Sequence, residues 1–359
     1  MKILIFNWRD IKNPEAGGAE VYTHEIAKRL VKRGHEITLV SAGFKGGKLR
    51  EVVDGVSIFR VGNKYTVYWQ AKKLYHNYLY QKKFDILLDE INTRPFFCVK
   101  FAKNKAKVVA LVHQLAKEFW FYEMPFPFSY VGYALEKYWL SAYKDVPTIT
   151  VSLSTKKDLE DWEFRNIIIV PNGINVEPVS QVPQKNDHPT IIFVGRMKRA
   201  KKPQDVVEAF EIVKKKINNA ELWMIGDGYM REKLQTTKPK GVKFWGYIPG
   251  NKKNELVKKS WLIAVPGVRE GWGQVVTDAN ALGTPAVGYN IPGLRDSIQD
   301  GYNGILVDPD PQSLANGILT LIKNQKLREN LSKNAIEWAK QFSWDKSAEK
   351  FEKILSNLL

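Results

Sequence analysis

Lys2–Val40 reads KILIFNWRDIKNPEAGGAEVYTHEIAKRLVKRGHEITLV. Its first five residues, Lys2-Ile3-Leu4-Ile5-Phe6, have the continuous apolar character of a strand buried on both faces. A loop over Asp10–Gly18 follows, with Pro14 and the pair Gly17-Gly18. Ala19–His35 then reads as helix, because Val21, Ile26, Leu30 and Val31 fall near one face. Gly34 ends that helix, and Glu36–Val40 is the next strand. Strand, glycine loop, helix, strand is the opening of a doubly wound α/β domain.

The pattern continues through strand-like Phe84–Leu88, Ala106–Val112, Thr148–Ser152 and Asn166–Val170. At Glu177–Pro189, EPVSQVPQKNDHP, periodicity stops and three prolines appear, which predicts a linker over 174–189. A second α/β series starts at once. Its strands are Thr190–Val194, Ala220–Ile225, Val242–Trp245, Leu262–Val265, Pro285–Tyr289 and Gly304–Val307, with a helix over Pro203–Ile217. The expectation is two Rossmann-like domains, 1–173 and 190–343, facing across a cleft between the C-terminal edges of their sheets. A final helix over 344–359 follows a break at Phe342-Ser343 and is expected to pack back on the first domain.

A length of 359 residues suits two cores. Hydrophobic content of 44% and charged content of 26% are those of a folded soluble protein. The lone cysteine, Cys98, lies in an apolar run and reads as core. The start MKILIFNW is too short in apolar residues for a secretory leader, and no window has the length of a membrane span. A cytoplasmic location is expected, with a peripheral place on the cytosolic membrane face open. Net charge is +17, and Lys28–Lys107 holds 18 Lys/Arg against 6 Asp/Glu. Such a surface attracts anionic lipid, nucleic acid or acidic substrates, although solvated lysines alone give the same count.

Three segments of the second series follow strands directly. Gly195-Arg196 with Lys201 can set a planar fork and a point charge on a diphosphate, as could a merely solvated basic turn. Gly226-Asp227-Gly228 reads as a tight turn with at most a lining role. Gly267–Val287, GVREGWGQVVTDANALGTPAV, offers N–H groups at a helix start near Gln274, with Glu270 before it and Asp278 within it. That order suits a phosphorylated sugar, while an acidic N-terminal helix turn is common for capping alone.

As an ordered set these motifs, with Ala16-Gly17-Gly18-Ala19-Glu20, Val170-Pro171-Asn172-Gly173-Ile174 and Phe342-Ser343-Trp344, resemble the retaining glycosyltransferases of family four, which have the GT-B fold. The resemblance covers nearly the whole chain. It implies that Arg196 and Lys201 bind the donor diphosphate, that Gly17 and Gly18 approach the same phosphates, and that Gly195 lies in the phosphate loop. It implies that Glu270 holds donor sugar hydroxyls and that the N–H groups of Gly271, Trp272, Gly273 and Gln274 support sugar and phosphate. Asp278 stands where the family usually has a ribose-binding glutamate, one methylene longer. His113 matches the histidine near the donor sugar, although a core histidine would also follow a strand. Trp245-Gly246-Tyr247-Ile248 corresponds to the loop lining the base pocket. The resemblance further implies a nucleotide-sugar cosubstrate (GDP-mannose or a UDP-sugar), retention of anomeric configuration, and no cofactor or essential metal. Asp308-Pro309-Asp310 has the spacing of metal-binding acids in the other main transferase fold, but its place in a late turn speaks against that role.

Lys117–Lys144 holds 11 aromatic residues. Beside a basic domain they suit a lipid-linked or glycan acceptor met at an anionic membrane, or they cap the first sheet. Two other classes stay open on sequence. A sugar-nucleotide epimerase uses the same fold but needs acid/base groups beyond His113. A nucleic-acid-binding protein would explain the charge, yet no motif for it is present, so nucleic acid is not an expected partner.

Overall fold

A computed structural model describes residues 1–102, 106–237 and 240–359. The chain divides into two compact units. One comprises Met1–Lys117, Tyr130–Gly173 and Ser343–Leu359; the other comprises Glu118–Ser129 and Ile174–Phe342.

Among the described residues the first unit has eight strands: β1 (Lys2–Phe6), β2 (Glu36–Ala42), β3 (Arg50–Val53), β4 (Val56–Val61), β5 (Ile86–Ile91), β6 (Lys107–Val112), β7 (Thr148–Thr150) and β8 (Ile167–Ile169). They form one sheet in the order β3-β4-β2-β1-β5-β6-β7-β8, parallel except for the β3/β4 hairpin. That hairpin lies beyond the strands anticipated from sequence. Asp54-Gly55 turns it, both residues having positive φ, which is the geometry the tight hairpin turn demands. Helix α1 (Gly18–Lys32) buries Tyr22, Ile26 and Leu30, and α2 (Val67–Asn77) buries Val67, Ala71 and Tyr75. In the loop after β1, Asp10 accepts from Arg60 Nε and Nη2 and from Ser41 Oγ, each at 2.8 Å, with all three residues buried.

The second unit has β9 (Thr190–Val194), β10 (Glu221–Ile225), β11 (Val242–Gly246), β12 (Leu262–Val265), β13 (Ala286–Tyr289) and β14 (Gly304–Val307). Their order is β11-β10-β9-β12-β13-β14, all parallel. Every residue of β12 and β13 is buried, as expected where helices cover both faces. Helix α3 (Gln274–Ala281) follows β12.

The boundaries differ from the sequence expectation in two places. Residues 174–189 are not a free linker but pack on the second unit. Val176 and Val179 lie against its core, Val179 N donates to Ala281 O at 2.9 Å, and Asn186 N donates to Lys259 O at 2.9 Å. Residues 118–129 also leave the first unit for the second, held by carboxylates described below. Helix α4 (Trp344–Ser356) belongs to the first unit. Trp344 meets Tyr22 edge-to-face at 5.7 Å, and Ser347 Oγ donates to Pro171 O at 2.7 Å. A Cβ at Gly173 would lie 2.3 Å from the Trp344 nitrogen, so only glycine fits there. Asp310, whose spacing had suggested a metal ligand, caps the helix Pro311–Lys323 by accepting from Ser313 N at 2.9 Å. No helix among the described residues is long and apolar enough to cross a membrane.

Candidate active site

In the second unit, β9 and β12 are neighbours, with β10 and β13 outside them. The loops leaving their C-terminal ends therefore converge, and these loops carry the motif residues. Lys201 Nζ donates to Glu270 Oε1, so the cation proposed for phosphate and the acid proposed for sugar hydroxyls meet. Their side chains are 30% and 15% exposed, leaving both open to a ligand. Main-chain bonds hold the loops together: Val268 N to Ala200 O at 3.0 Å, and Glu270 N to Pro292 O at 3.2 Å. Arg196 lies half-buried in the Gly195–Lys201 loop.

Two glycines that were assigned no ligand contact from sequence shape these loops. Gly226 has φ +124°, and a Cβ there would stand 2.0 Å from Gly195 O. The Gly226-Asp227-Gly228 turn is thus a buttress under the arginine loop, which Met197 N to Asp227 O at 2.8 Å confirms. Gly293 has φ +83°, and its Cβ would stand 2.0 Å from Glu270 O. A side chain at either position would displace a loop that carries a candidate ligand residue. The Pro292-Gly293 pair was the available sequence signal.

Gly273 stands at the N-cap of α3, whose first residue is Gln274. The Trp272 indole packs on Phe342, ring centroids 5.0 Å apart, and is buried. Its contribution to a ligand is thereby limited to the main chain beside that of Gly271. Asp278 is already engaged: Oδ1 accepts from Asn175 N at 2.9 Å and Gln274 Nε2 at 3.0 Å, and Oδ2 from Asn175 Nδ2 at 3.1 Å. Burial raises its carboxyl above the ordinary range, against those hydrogen bonds. A carboxylate has about four acceptor sites, so these three contacts leave room for one more donor. Tyr247 is exposed and Ile248 packs on the core. Both follow β11, two strands and so about 10 Å from β9.

The segment 118–129 touches the same loops, a contact that sequence gave no means to foresee. Glu123 Oε1 accepts from Ala200 N at 3.1 Å and Tyr229 Oη at 3.2 Å, while Tyr229 Oη accepts from Arg199 N at 2.8 Å. Arg269 Nε donates to Glu118 Oε2 at 3.2 Å. Seven of the 11 aromatic residues in 117–144 are exposed: Phe121, Tyr122, Phe126, Phe128, Tyr130, Tyr133 and Tyr138. Capping of the first sheet therefore does not account for most of them.

In the first unit, His113 directly follows β6 and is buried. Its Nε2 is 3.2 Å from Glu90 Oε1, and Thr23 Oγ1 donates to Glu90 Oε2 at 2.5 Å. Thr155 Oγ1 donates to His113 O at 3.0 Å, and Tyr22 meets the imidazole edge-to-face at 5.1 Å. Burial raises the Glu90 carboxyl, and the His113 hydrogen bond opposes that rise. Glu90 was missed; its signal was an acid pair, Asp89-Glu90, inside an apolar strand. Gly17 is the N-cap of α1, and its N–H donates to Glu20 Oε2 at 2.6 Å. Arg9 Nε bonds the other oxygen of that carboxylate at 3.0 Å. A Cβ at Gly18 would meet nothing within 4 Å, so space is free beside this helix start.

Residues 16–178 match the profile described as Glycosyltransferase Family 4, and residues 177–338 match that described as Glycosyl transferases group 1. An uncharacterized glycosyltransferase of Methanocaldococcus jannaschii is 26% identical, over 97% of this chain and 96% of the relative. The N-acetyl-alpha-D-glucosaminyl L-malate synthase of Bacillus anthracis is 25% identical over 96% and 95%. Among solved structures, the sucrose-phosphate synthase from Thermosynechococcus elongatus superposes with a TM-score of 0.84. That match covers 99% of this chain and 98% of the other at 18% identity, a likeness of fold.

Proposed function

This chain belongs to glycosyltransferase family 4 and has the GT-B fold, and on that footing we propose that it moves a sugar from GDP-mannose or a UDP-sugar to an acceptor with retention of anomeric configuration. The observation that carries this reading is the meeting of Lys201 and Glu270 on loops from adjacent parallel strands. A cation for a diphosphate and an acid for sugar hydroxyls then lie within one ligand's span.

The chemistry breaks the bond between the anomeric carbon and the diphosphate. Negative charge grows on the leaving group, and positive character grows on the sugar. Arg196 and Lys201 take up the first, helped by the N–H groups of Gly18 and Gly271–Gln274, since those of Gly17 and Gly195 already donate to Glu20 Oε2 and Ile225 O. These fixed cations supply the charge that a metal supplies elsewhere, so transfer should be unaffected by EDTA. Glu270 and His113 hold the donor sugar, with Glu90 and Thr23 fixing the imidazole. Asp278 uses its remaining acceptor site for the ribose, and Tyr247 and Ile248 line the base. Retention is assigned to front-face attack by the acceptor hydroxyl, with no covalent enzyme intermediate.

The acceptor is a glycan or a lipid-linked molecule, met by a chain that touches anionic membrane through its basic and aromatic surface. A thermal-shift panel of UDP, GDP and their sugars tests the donor reading; no shift with any of them would reject it. NMR of the product's anomeric proton tests retention. Flotation with anionic liposomes at low salt tests the membrane contact, and failure to float rejects it.

A further inference from the structure

The loop Asn92–Phe97 leaves the C-terminal end of β5, which lies between β1 and β6. Register sets Ile91 beside Val112. Asn92 and His113 therefore leave the sheet one strand spacing apart, about 5 Å. The loop is anchored on both sides. Asn92 Nδ2 donates to Asn7 Oδ1 at 3.1 Å. The buried Asp89 accepts from Phe96 N and Cys98 N, each at 3.0 Å, and from the Tyr143 hydroxyl.

Between these anchors stands Arg94. Its guanidinium carbon lies 5.1 Å from the centroid of the Tyr68 ring and 5.8 Å from that of Trp139. The two rings fix the cation without neutralising it. The guanidinium makes no ion pair or hydrogen bond with a described residue, and Arg94 is exposed. Its five N–H donors are thus available in a fixed fork. Burial pushes the Tyr68 hydroxyl up to about 12, against the charges of Arg94 and Arg9 and a hydrogen bond with Thr93. That hydroxyl stays a protonated donor at working pH. A carboxylate is satisfied by an arginine fork alone. A further donor beside the fork suits the third oxygen of a phosphate.

We propose that Arg94 and the Tyr68 hydroxyl form a phosphate subsite for the acceptor, beside His113, so that the acceptor is a phosphorylated molecule. This rests on the reading of the first unit as the acceptor side of a transferase. The phosphate belongs either to a soluble acceptor or to a lipid headgroup.

The test uses the full chain, saturated with UDP or GDP to block the donor site. Phosphorus NMR then follows added glycerol 1-phosphate, and sedimentation follows phosphatidylglycerol against phosphatidylcholine vesicles. Saturable line broadening in the wild type, weakened at least tenfold in Arg94→Ala and partly restored in Arg94→Lys, is the expected result. Vesicle binding lost in Arg94→Ala would assign the phosphate to a headgroup; sensitivity to glycerol phosphate alone would assign it to a soluble acceptor. Equal binding by wild type and Arg94→Ala in both arms, or none by the wild type in either, overturns the subsite. The nucleotide thermal shift should be the same in all three proteins. Its absence from the wild type would instead reject the donor reading and leave the phosphate result to stand on its own.

Discussion

Replacing Lys201 with Met removes one charge from the proposed diphosphate site while keeping most of the side chain's volume. Two unit charges 4 Å apart interact by about 4 kcal/mol at an effective dielectric constant of about 20. If nearly one unit of charge develops on the leaving phosphate, Lys201 lowers the barrier by up to that amount. Its side chain is 30% exposed, so water screens part of the effect. At about 1.4 kcal/mol per tenfold, a fall in kcat of about 10²–10³ is expected, the range seen when one oxyanion donor is removed. Stability should move far less. The ion pair lost with Glu270 is partly exposed, and such pairs contribute roughly 0–1 kcal/mol. The assay pairs nucleotide release, using the donor found in the thermal-shift panel, with thermal unfolding. Lys201→Arg keeps the charge and should retain more activity than the Met variant. A Met variant within threefold of wild type in kcat would refute the assignment, as would one whose activity falls only in step with its folded fraction.

Three further outcomes are expected. Gly18→Ala should leave the melting temperature within about 2 °C, because its methyl group meets nothing within 4 Å, yet weaken donor binding at least tenfold in calorimetry if phosphate occupies that space. Gly293→Ala places a methyl group against Glu270 O at positive φ; a cost of about 1–3 kcal/mol is expected in denaturant unfolding, with a larger fractional loss of kcat than in a distant variant of equal stability. Burial alone would raise the Asp10 carboxyl, but the Arg60 and Ser41 hydrogen bonds outweigh it and hold it below its usual 3.8. The stability it contributes is therefore full above pH 3.8 and lost as pH falls through the depressed native value. Asp10→Asn leaves the buried Arg60 with Glu51 as its remaining acid partner and should cost less at neutral pH than the roughly 3–5 kcal/mol of a buried pair broken outright, with a flatter acid limb in urea titrations from about pH 2 to pH 5.

The parallel strands were legible because burial on both faces leaves continuous apolar runs, as in β1, β9 and β12. The motifs were legible because, in such sheets, ligand residues follow strand ends. Glu270 and Lys201 could be named as candidates, but their meeting depends on β9 and β12 being neighbours although 262–265 follows two further strands in sequence. Residues 118–129 read as part of the first domain by continuity, whereas Glu118 and Glu123 tie them to Arg269 and Ala200. No local pattern encodes that choice. Glu90 escaped notice because a buried acid is explained only by its partner, and His113 is 23 residues away. The β3/β4 hairpin, by contrast, was written in Asp54-Gly55 and could have been read.

The first unit is completed by α4, which is synthesised only after the second unit's Ile174–Phe342. Until it arrives, Tyr22 lacks Trp344 and the Val170-Pro171 end lacks Ser347. The whole of Ile174–Phe342 is made in between. On the ribosome, that second unit therefore has its full complement of strands while the earlier-born unit still exposes an apolar helix face. Newly made chains should thus be most vulnerable to proteases and most in need of chaperones in the first unit, although all its strands are made before those of the second.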